Sequence, residues 1–182
     1  MRTRLVIPLL LLSVLLTPII SGCIGLVPAR EFLEGMRTEP ELSSAKDEIV
    51  VSHTFTSISP ELFTSEDRFM VDEHVTEISA YLSVQNFLSE QTEFFPNETR
   101  YVLAILTDAA GNNVWEEEVS ETSTILEKHM QPPFAHGEWT LKIEARGYGE
   151  EILSQFQDSF HTVITIERAC TIYPGEDGCS FD

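Results

Sequence analysis

Strict alternation of apolar and polar residues is the feature that most constrains the fold of this chain. The clearest example is the run Ile78, Ala80, Leu82 and Val84, and the same period of two recurs in residues 49–55, 139–146 and 159–166. Successive side chains of a strand point to opposite faces, so each segment predicts a strand with one buried and one solvated face. With about eight or nine such segments and almost no amphipathic helix, we predict an all-β, antiparallel β-sandwich of jelly-roll or Greek-key type.

One segment differs because it is apolar on both faces. Residues 101–106 read Tyr-Val-Leu-Ala-Ile-Leu, which predicts a central strand of the sandwich. The sequence Asp108-Ala-Ala-Gly-Asn-Asn113 follows and predicts a tight turn, because Asp, Gly and Asn tolerate turn geometry. A strand returns from Val114-Trp115, short strands are expected at Phe69–Val71 and Thr124–Leu126, and Pro132-Pro133 marks a break.

The first 23 residues have the three-part layout of an export signal. A basic start at residues 1–4 precedes an apolar run at residues 5–19, and Ile20-Ser21-Gly22-Cys23 places small residues before a cysteine. These four residues resemble the lipobox of prokaryotic lipoproteins. The resemblance implies cleavage before Cys23 and diacylglycerol on its sulfur, and hence a lipid-anchored protein on the extracytoplasmic face of the cell membrane.

An uncleaved signal anchor is the alternative, since apolar character continues through residues 24–27 and approaches the length of a membrane-spanning helix. Pro8 and Pro18 argue against it, because proline removes a helical hydrogen bond. We therefore expect a signal peptide at residues 1–22, a lipid-anchored tether at 23–47 with one helical turn near 31–36, a β-sandwich at 48–168 and a disulfide-closed tail at 169–182.

The chain is strongly acidic, with a formal charge of −19. The signal segment holds Arg2 and Arg4 and no acid, so the mature chain has 9 basic and 30 acidic residues, a charge of −21. Such a surface repels phosphate backbones, which makes nucleic acid an unlikely partner. Solubility or adaptation to saline surroundings explains this charge; attraction of cations is the alternative.

Cys170 and Cys179 are the only cysteines left once Cys23 carries lipid. Outside the cytoplasm they predict one disulfide that closes a small loop, with turns at residues 174–175 and 177–178. The alternative, a two-cysteine metal site, lacks the C-x-x-C spacing and a nearby histidine.

Histidines provide a weak indication of a metal. His129, Met130 and His136 bracket the Pro-Pro break and are of the residue types that bind copper. A blue-copper site would also need a cysteine close before a histidine, so loop polarity is the favoured interpretation. Calcium candidates are the two turns, with Asp108, Asn112 and Asn113 in one and Glu176 and Asp177 in the other; neither matches a dedicated calcium loop. We expect no cofactor, with calcium as the exception.

Catalytic motifs are absent from the sequence. Ser159 and His161 share a strand face next to Asp158, but strand alternation explains this spacing and no G-x-S-x-G motif accompanies it. No H-E-x-x-H, P-loop or G-x-G-x-x-G motif occurs. Asn97 begins an Asn-Glu-Thr sequon for N-glycosylation, which is meaningful only outside the cytoplasm. We expect a protein that is not an enzyme.

Residues 74–167 resemble the jelly-roll modules of secreted proteases, namely the P domain of proprotein convertases and the bacterial pre-peptidase C-terminal domain. The resemblance is carried by residues 101–111 with their D-x-x-G turn, by Gly137-Glu-Trp-Thr-Leu-Lys-Ile143, and by the closing strand Val163–Ile166. It implies a jelly-roll fold and a non-catalytic binding or stabilising role. The stretch 147–158 departs from the Gly- and Asp-rich loop of the P domain.

These features together lead to one functional expectation. The chain is expected to be a surface-anchored lipoprotein whose sandwich binds an envelope protein, a glycan or another extracellular partner. A small solute- or metal-binding lipoprotein that serves a transporter, and a structural spacer, are the alternatives.

Overall fold

Two compact units make up the chain, and the computed structural model describes residues 30, 32–36, 38–85, 100–150, 157–175 and 178–181. One unit comprises Leu42–Ile172 and Gly178–Asp182, and the other Met1–Glu41 and Tyr173–Asp177. In the second unit a helical turn lies within residues 30–36, where the sequence predicts one, and the Arg30 guanidinium donates to Glu34 at 2.9 Å.

The larger unit is a sandwich of two antiparallel four-stranded sheets, which confirms the predicted fold class. Eight strands are found in the described residues: β1 (Glu41–Thr54), β2 (Glu61–Val71), β3 (Val75–Gln85), β4 (Tyr101–Thr107), β5 (Asn113–Val119), β6 (Leu126–Met130), β7 (Gly137–Gly147) and β8 (Ser159–Ile172). We call β1-β8-β3-β6 sheet 1 and β2-β7-β4-β5 sheet 2.

The strand order is that of a jelly roll. Strands β4 and β5 form the tip of a long hairpin, and strands further from the tip pair as β3 with β6, β2 with β7 and β1 with β8. The pairs alternate between the two sheets, so the hairpin is rolled into two layers. The strongest turn signal of the sequence, at residues 108–113, is therefore the tip from which the roll begins.

The core lies between the sheets and consists of the predicted inward-facing residues. In β3 the residues Ile78, Ala80, Leu82 and Val84 are at most 1% exposed. Trp139 opens the buried row of β7 at 2% exposure, and its indole N–H donates to Ala135 O at 2.7 Å. Gly137, just before it, has φ = 134°, a value that favours glycine, and its missing side chain leaves room for Ala109.

Three edge strands correct the sequence prediction. β1 begins at Glu41 rather than Ile49, inside the segment expected to be a tether. β2 extends over eleven residues, where only a short run at Phe69–Val71 was expected. β6 spans Leu126–Met130 rather than Thr124–Leu126. Residues 41–44 of β1 are exposed, and β6 has no buried residue. Edge strands that bury so little need no apolar alternation, so the period of two does not reveal them.

Candidate functional site

The predicted anchor and glycosylation site fall outside the described residues. These are Ile20, Ser21, Gly22 and Cys23 of the lipobox and Asn97 of the sequon; the calcium candidates Glu176 and Asp177 lie outside as well. Within the described ranges, no helix has the length and apolar character needed to cross a membrane. Lipidation and glycosylation remain predictions.

The predicted disulfide is confirmed. Cys170 near the end of β8 is bonded to Cys179, with a Cα–Cα distance of 5.4 Å. Thr171 and Ser180 exchange two backbone hydrogen bonds of 2.9 Å beside it. The short C-terminal segment is thereby attached to sheet 1 by both covalent and backbone contacts.

Asp108 organises the turn at the tip of the hairpin. Its Oδ1 accepts from the backbone N–H of Ala110 at 2.9 Å and of Asn112 at 2.8 Å, and Oδ2 accepts from the Asn112 amide at 3.0 Å. The Asn112 amide and these N–H groups hold the pKa of Asp108 below its usual value. No group of three acidic, histidine or cysteine side chains suited to a metal ion occurs among the described residues. The observed role of Asp108 is to fix the turn.

The histidine group near the Pro-Pro break is arranged differently from the prediction. His129 and Met130 lie in β6, not in a loop; Met130 packs against the core, whereas His129 is exposed and His136 stands alone in the loop. The His129 Nδ1 lies 2.6 Å from Glu77, which raises the pKa of His129 and lowers that of Glu77. Adjacent strand residues point to opposite faces, so His129 and Met130 do not form a copper pair.

Ser159, His161 and Asp158 do not converge on one point. His161 is exposed on the outward face of β8, whereas Asp158 is 1% exposed and its Oδ2 accepts from the Tyr148 N–H at 2.9 Å. The carboxylate that a triad would need therefore lies in the interior.

Asp158 instead belongs to a buried ion pair that the sequence reasoning missed. The Arg100 Nε lies 3.4 Å from Asp158 Oδ2, the two side chains are 1% and 2% exposed, and the guanidinium is 5.1 Å from the Tyr148 ring centre. The Asp158 backbone also bonds to Phe55 and Tyr148. Complementary charges that directly precede two predicted strands, β4 and β8, are the signal that could have indicated this pair.

Sheet 1 presents an uncharged surface at its centre. The middle of its central strands carries six outward residues that are partly or fully accessible, which we call the neutral face: Ser79, Tyr81, Ser83, His161, Val163 and Thr165. They form three cross-strand pairs, with Tyr81 opposite Val163 at the middle. The rings of Tyr81 and His161 are in edge contact at 6.0 Å. These six side chains carry no carboxylate, ammonium or guanidinium group, but carboxylates border them: Glu127 of β6 lies opposite Tyr81, and Glu77 and Glu167 form the next cross-strand pair.

Sheet 2 presents a charged outer surface instead. The Arg68 guanidinium lies 2.7 Å from Glu66 and 3.2 Å from Glu138, and Lys142 lies 3.7 Å from Glu66. The hydrogen bond from Arg68 is the main cause of the lowered pKa of Glu66. A shallow depression of about 350 Å³ lies here. Its lining is Thr64, Ser65, Glu66, Leu103, Ile105, Lys142, Ile143 and Glu144.

A second depression of about 320 Å³ lies at the end of the sandwich beside Pro133. Met130, Phe134 and Trp139 give it apolar walls, and Phe134 contacts Trp139 edge-on at 5.9 Å. Its polar neighbour Lys128 already donates to Val114 O at 2.8 Å. The other charged or amide side chains that line this depression, Asp108 and Gln131, are hydrogen-bonded to Asn112 and Glu77, so its polar groups are already engaged.

Comparisons with known proteins provide no family. No protein-family model and no curated protein matches the chain. Solved structures similar to it include TmCBM61 in complex with β-1,4-galactotriose (11% identity, 76% of this chain and 92% of that chain, TM-score 0.36) and the Yersinia pseudotuberculosis-derived mitogen (11%, 74% and 94%, TM-score 0.31). The infectious bursal disease virus Gx strain structure matches over 78% of this chain and 34% of that chain (12%, TM-score 0.29). Likenesses at these TM-scores support no functional argument.

Proposed function

We propose that this chain is a non-catalytic, glycan-binding lipoprotein, held on the extracytoplasmic face of a membrane by lipid on Cys23. The lipobox pattern and the confirmed disulfide both support an extracytoplasmic place. The interior position of Asp158 supports a role without catalysis.

The neutral face is the observation that carries the proposal. A sugar ring offers apolar C–H groups on its faces and hydroxyls around its rim. The Tyr81 ring supplies an apolar surface, and the hydroxyls of Ser79, Ser83 and Thr165 both donate and accept hydrogen bonds. Because the six residues of the neutral face carry no carboxylate, ammonium or guanidinium group, and the nearest cross-strand charge on β6 is the carboxylate of Glu127, the ligand we propose is an uncharged glycan.

Binding is tested with the purified full-length chain and a panel of neutral oligosaccharides, by calorimetry. We expect Tyr81→Ala to lower the affinity for the best-binding oligosaccharide by about tenfold or more, because the stacking surface is lost. The matched control is Tyr101→Ala, which removes a partly exposed tyrosine from the opposite sheet and should leave the affinity unchanged. Equal losses in both variants, or no binding by any neutral oligosaccharide, would refute the proposal.

The anchor is tested separately by mass spectrometry of the mature protein. We expect an N-terminal Cys23 bearing two or three acyl chains, and a Cys23→Ser variant that no longer partitions into detergent. A mature protein that begins at Met1 would contradict lipidation while leaving glycan binding open to its own test.

A further inference from the structure

Strand β5 is an edge of sheet 2 with an unusual run of three glutamates. It pairs with β4 on one side, and no other described strand pairs with it. Glu116 and Glu118 are exposed and lie opposite Ile105 and Leu103 of β4. An edge strand has backbone N–H and C=O groups that can accept another strand.

We propose that the β5 edge binds an extended segment of a partner protein that carries lysine or arginine at alternate positions. The segment would add a fifth strand to sheet 2. Its basic side chains would then share a face with Glu116 and Glu118, because residues two apart in a strand point the same way. This site is separate from the neutral face, which lies on the other sheet.

Charge complementarity identifies the occupant. On the same outer face, the cations Arg68 and Lys142 already have carboxylate partners within 4 Å. Glu116 has an uncharged partner, the Asn113 amide at 3.0 Å, and no ion pair to Glu116 or Glu118 within 4.0 Å is found among the described residues. Opposite charges on neighbouring strands stabilise the pairing, and like charges destabilise it.

The neighbours of these glutamates on β4 are uncharged. Leu103 and Ile105 lie beside Glu118 and Glu116 on β4 and carry no charge, so these carboxylates have no cross-strand cation on that side and are available to an ammonium group from the other side. At the start of this edge the Lys128 ammonium donates to Val114 O at 2.8 Å, so a lysine side chain already contacts the backbone of β5 there.

A second copy of this chain does not fit the same edge. Pairing β5 with β5 would bring identical glutamate runs together across the new ladder, which is unfavourable. The glutamates therefore disfavour pairing of β5 with β5 and favour a basic strand at the same place.

The test uses the full-length chain and a fluorescent ten-residue peptide in which lysine alternates with threonine and valine. A second peptide has the same lysines alternating with proline, which keeps the charge but removes the backbone N–H of every second residue and disrupts strand pairing. We expect the first peptide to bind at least about tenfold more tightly than the second, with an affinity that falls as salt rises.

Two double variants with the same change in net charge locate the site. The double variant Glu116→Gln/Glu118→Gln should weaken binding of the first peptide about tenfold. The control Glu48→Gln/Glu73→Gln changes two exposed glutamates, one in β1 and one in the turn between β2 and β3, and should change the affinity for this peptide less than about twofold. Equal losses in the two variants, or equal binding of the two peptides, would show non-specific charge attraction and overturn the proposal. Binding of a deacetylated amino-sugar oligomer but not of the first peptide would overturn it as well.

Discussion

The buried pair of Arg100 and Asp158 gives the sharpest stability prediction. In Asp158→Asn the amide oxygen still accepts the Tyr148 N–H, but the Arg100 guanidinium loses its counter-charge at a site where both side chains are at most 2% exposed. Removing one partner of a fully buried ion pair costs about 3–5 kcal/mol. At roughly 2–4 °C per kcal/mol for a chain of this size, the melting temperature should fall by about 6–20 °C.

Urea unfolding of the full-length chain, followed by tryptophan fluorescence, measures this loss. Arg100→Leu and the double variant complete a double-mutant cycle, and we expect a coupling energy of about 2–3 kcal/mol because the two charges contact each other. Glu138→Gln is the matched control: it removes one carboxylate from the exposed Arg68, so its effect should be small.

Two outcomes would refute this reasoning. A loss below about 1 kcal/mol in Asp158→Asn would mean that the pair is solvated in solution, as surface pairs are. Strict additivity in the cycle would mean that Arg100 and Asp158 act on stability through separate contacts rather than through each other.

Three further perturbations have definite expected results. His129→Gln should lower the melting temperature most between pH 4.5 and 6.5, the ordinary pKa values of glutamate and histidine, because both groups of the pair are charged there. The effect should fade as pH rises through the raised pKa of His129 or falls through the lowered pKa of Glu77. A flat pH profile would contradict this prediction. Gly149→Ala should cost about 3 kcal/mol or more in urea unfolding, because its Cβ would lie 1.6 Å from a backbone oxygen, whereas Gly178→Ala, with nothing within 4 Å, should stay within about 0.5 kcal/mol. Reducing the disulfide, which joins residues nine apart, should cost about 2–3 kcal/mol from the released loop entropy, and no change in the urea midpoint would contradict that account.

The fold could be predicted from sequence wherever a strand buries one face. The buried rows of β3, β7 and β8 show the period of two because their inward side chains are excluded from water, and these strands were found with the correct face inward. Strand β2 was largely missed because its residues from Glu61 to Met70 are all at least partly exposed, which leaves only weak selection for apolar residues at alternate positions.

The candidate surfaces could not be predicted because they depend on pairings across the chain. Tyr81 and His161 are 80 residues apart, and only the register between β3 and β8 brings their rings into contact. The disulfide was predictable because its loop is short and closes locally. The run Glu116–Glu118 was visible in the sequence, but its place on a sheet edge follows from the strand order alone.

The contrast between the two outer faces bears on the meaning of the acidic composition. The middle of β3 and β8 carries no charge in the three pairs of the neutral face, although Glu127 of the edge strand β6 lies opposite Tyr81 and the pair Glu77–Glu167 follows in the next row. Sheet 2 carries Glu66, Glu138 and Glu144 beside its few cations. A carboxylate in place of Val163, on the other side of Tyr81, would cost little in folding because that position is partly exposed. Folding alone therefore does not explain the uncharged middle of β3 and β8, which is the surface that the proposed glycan would contact.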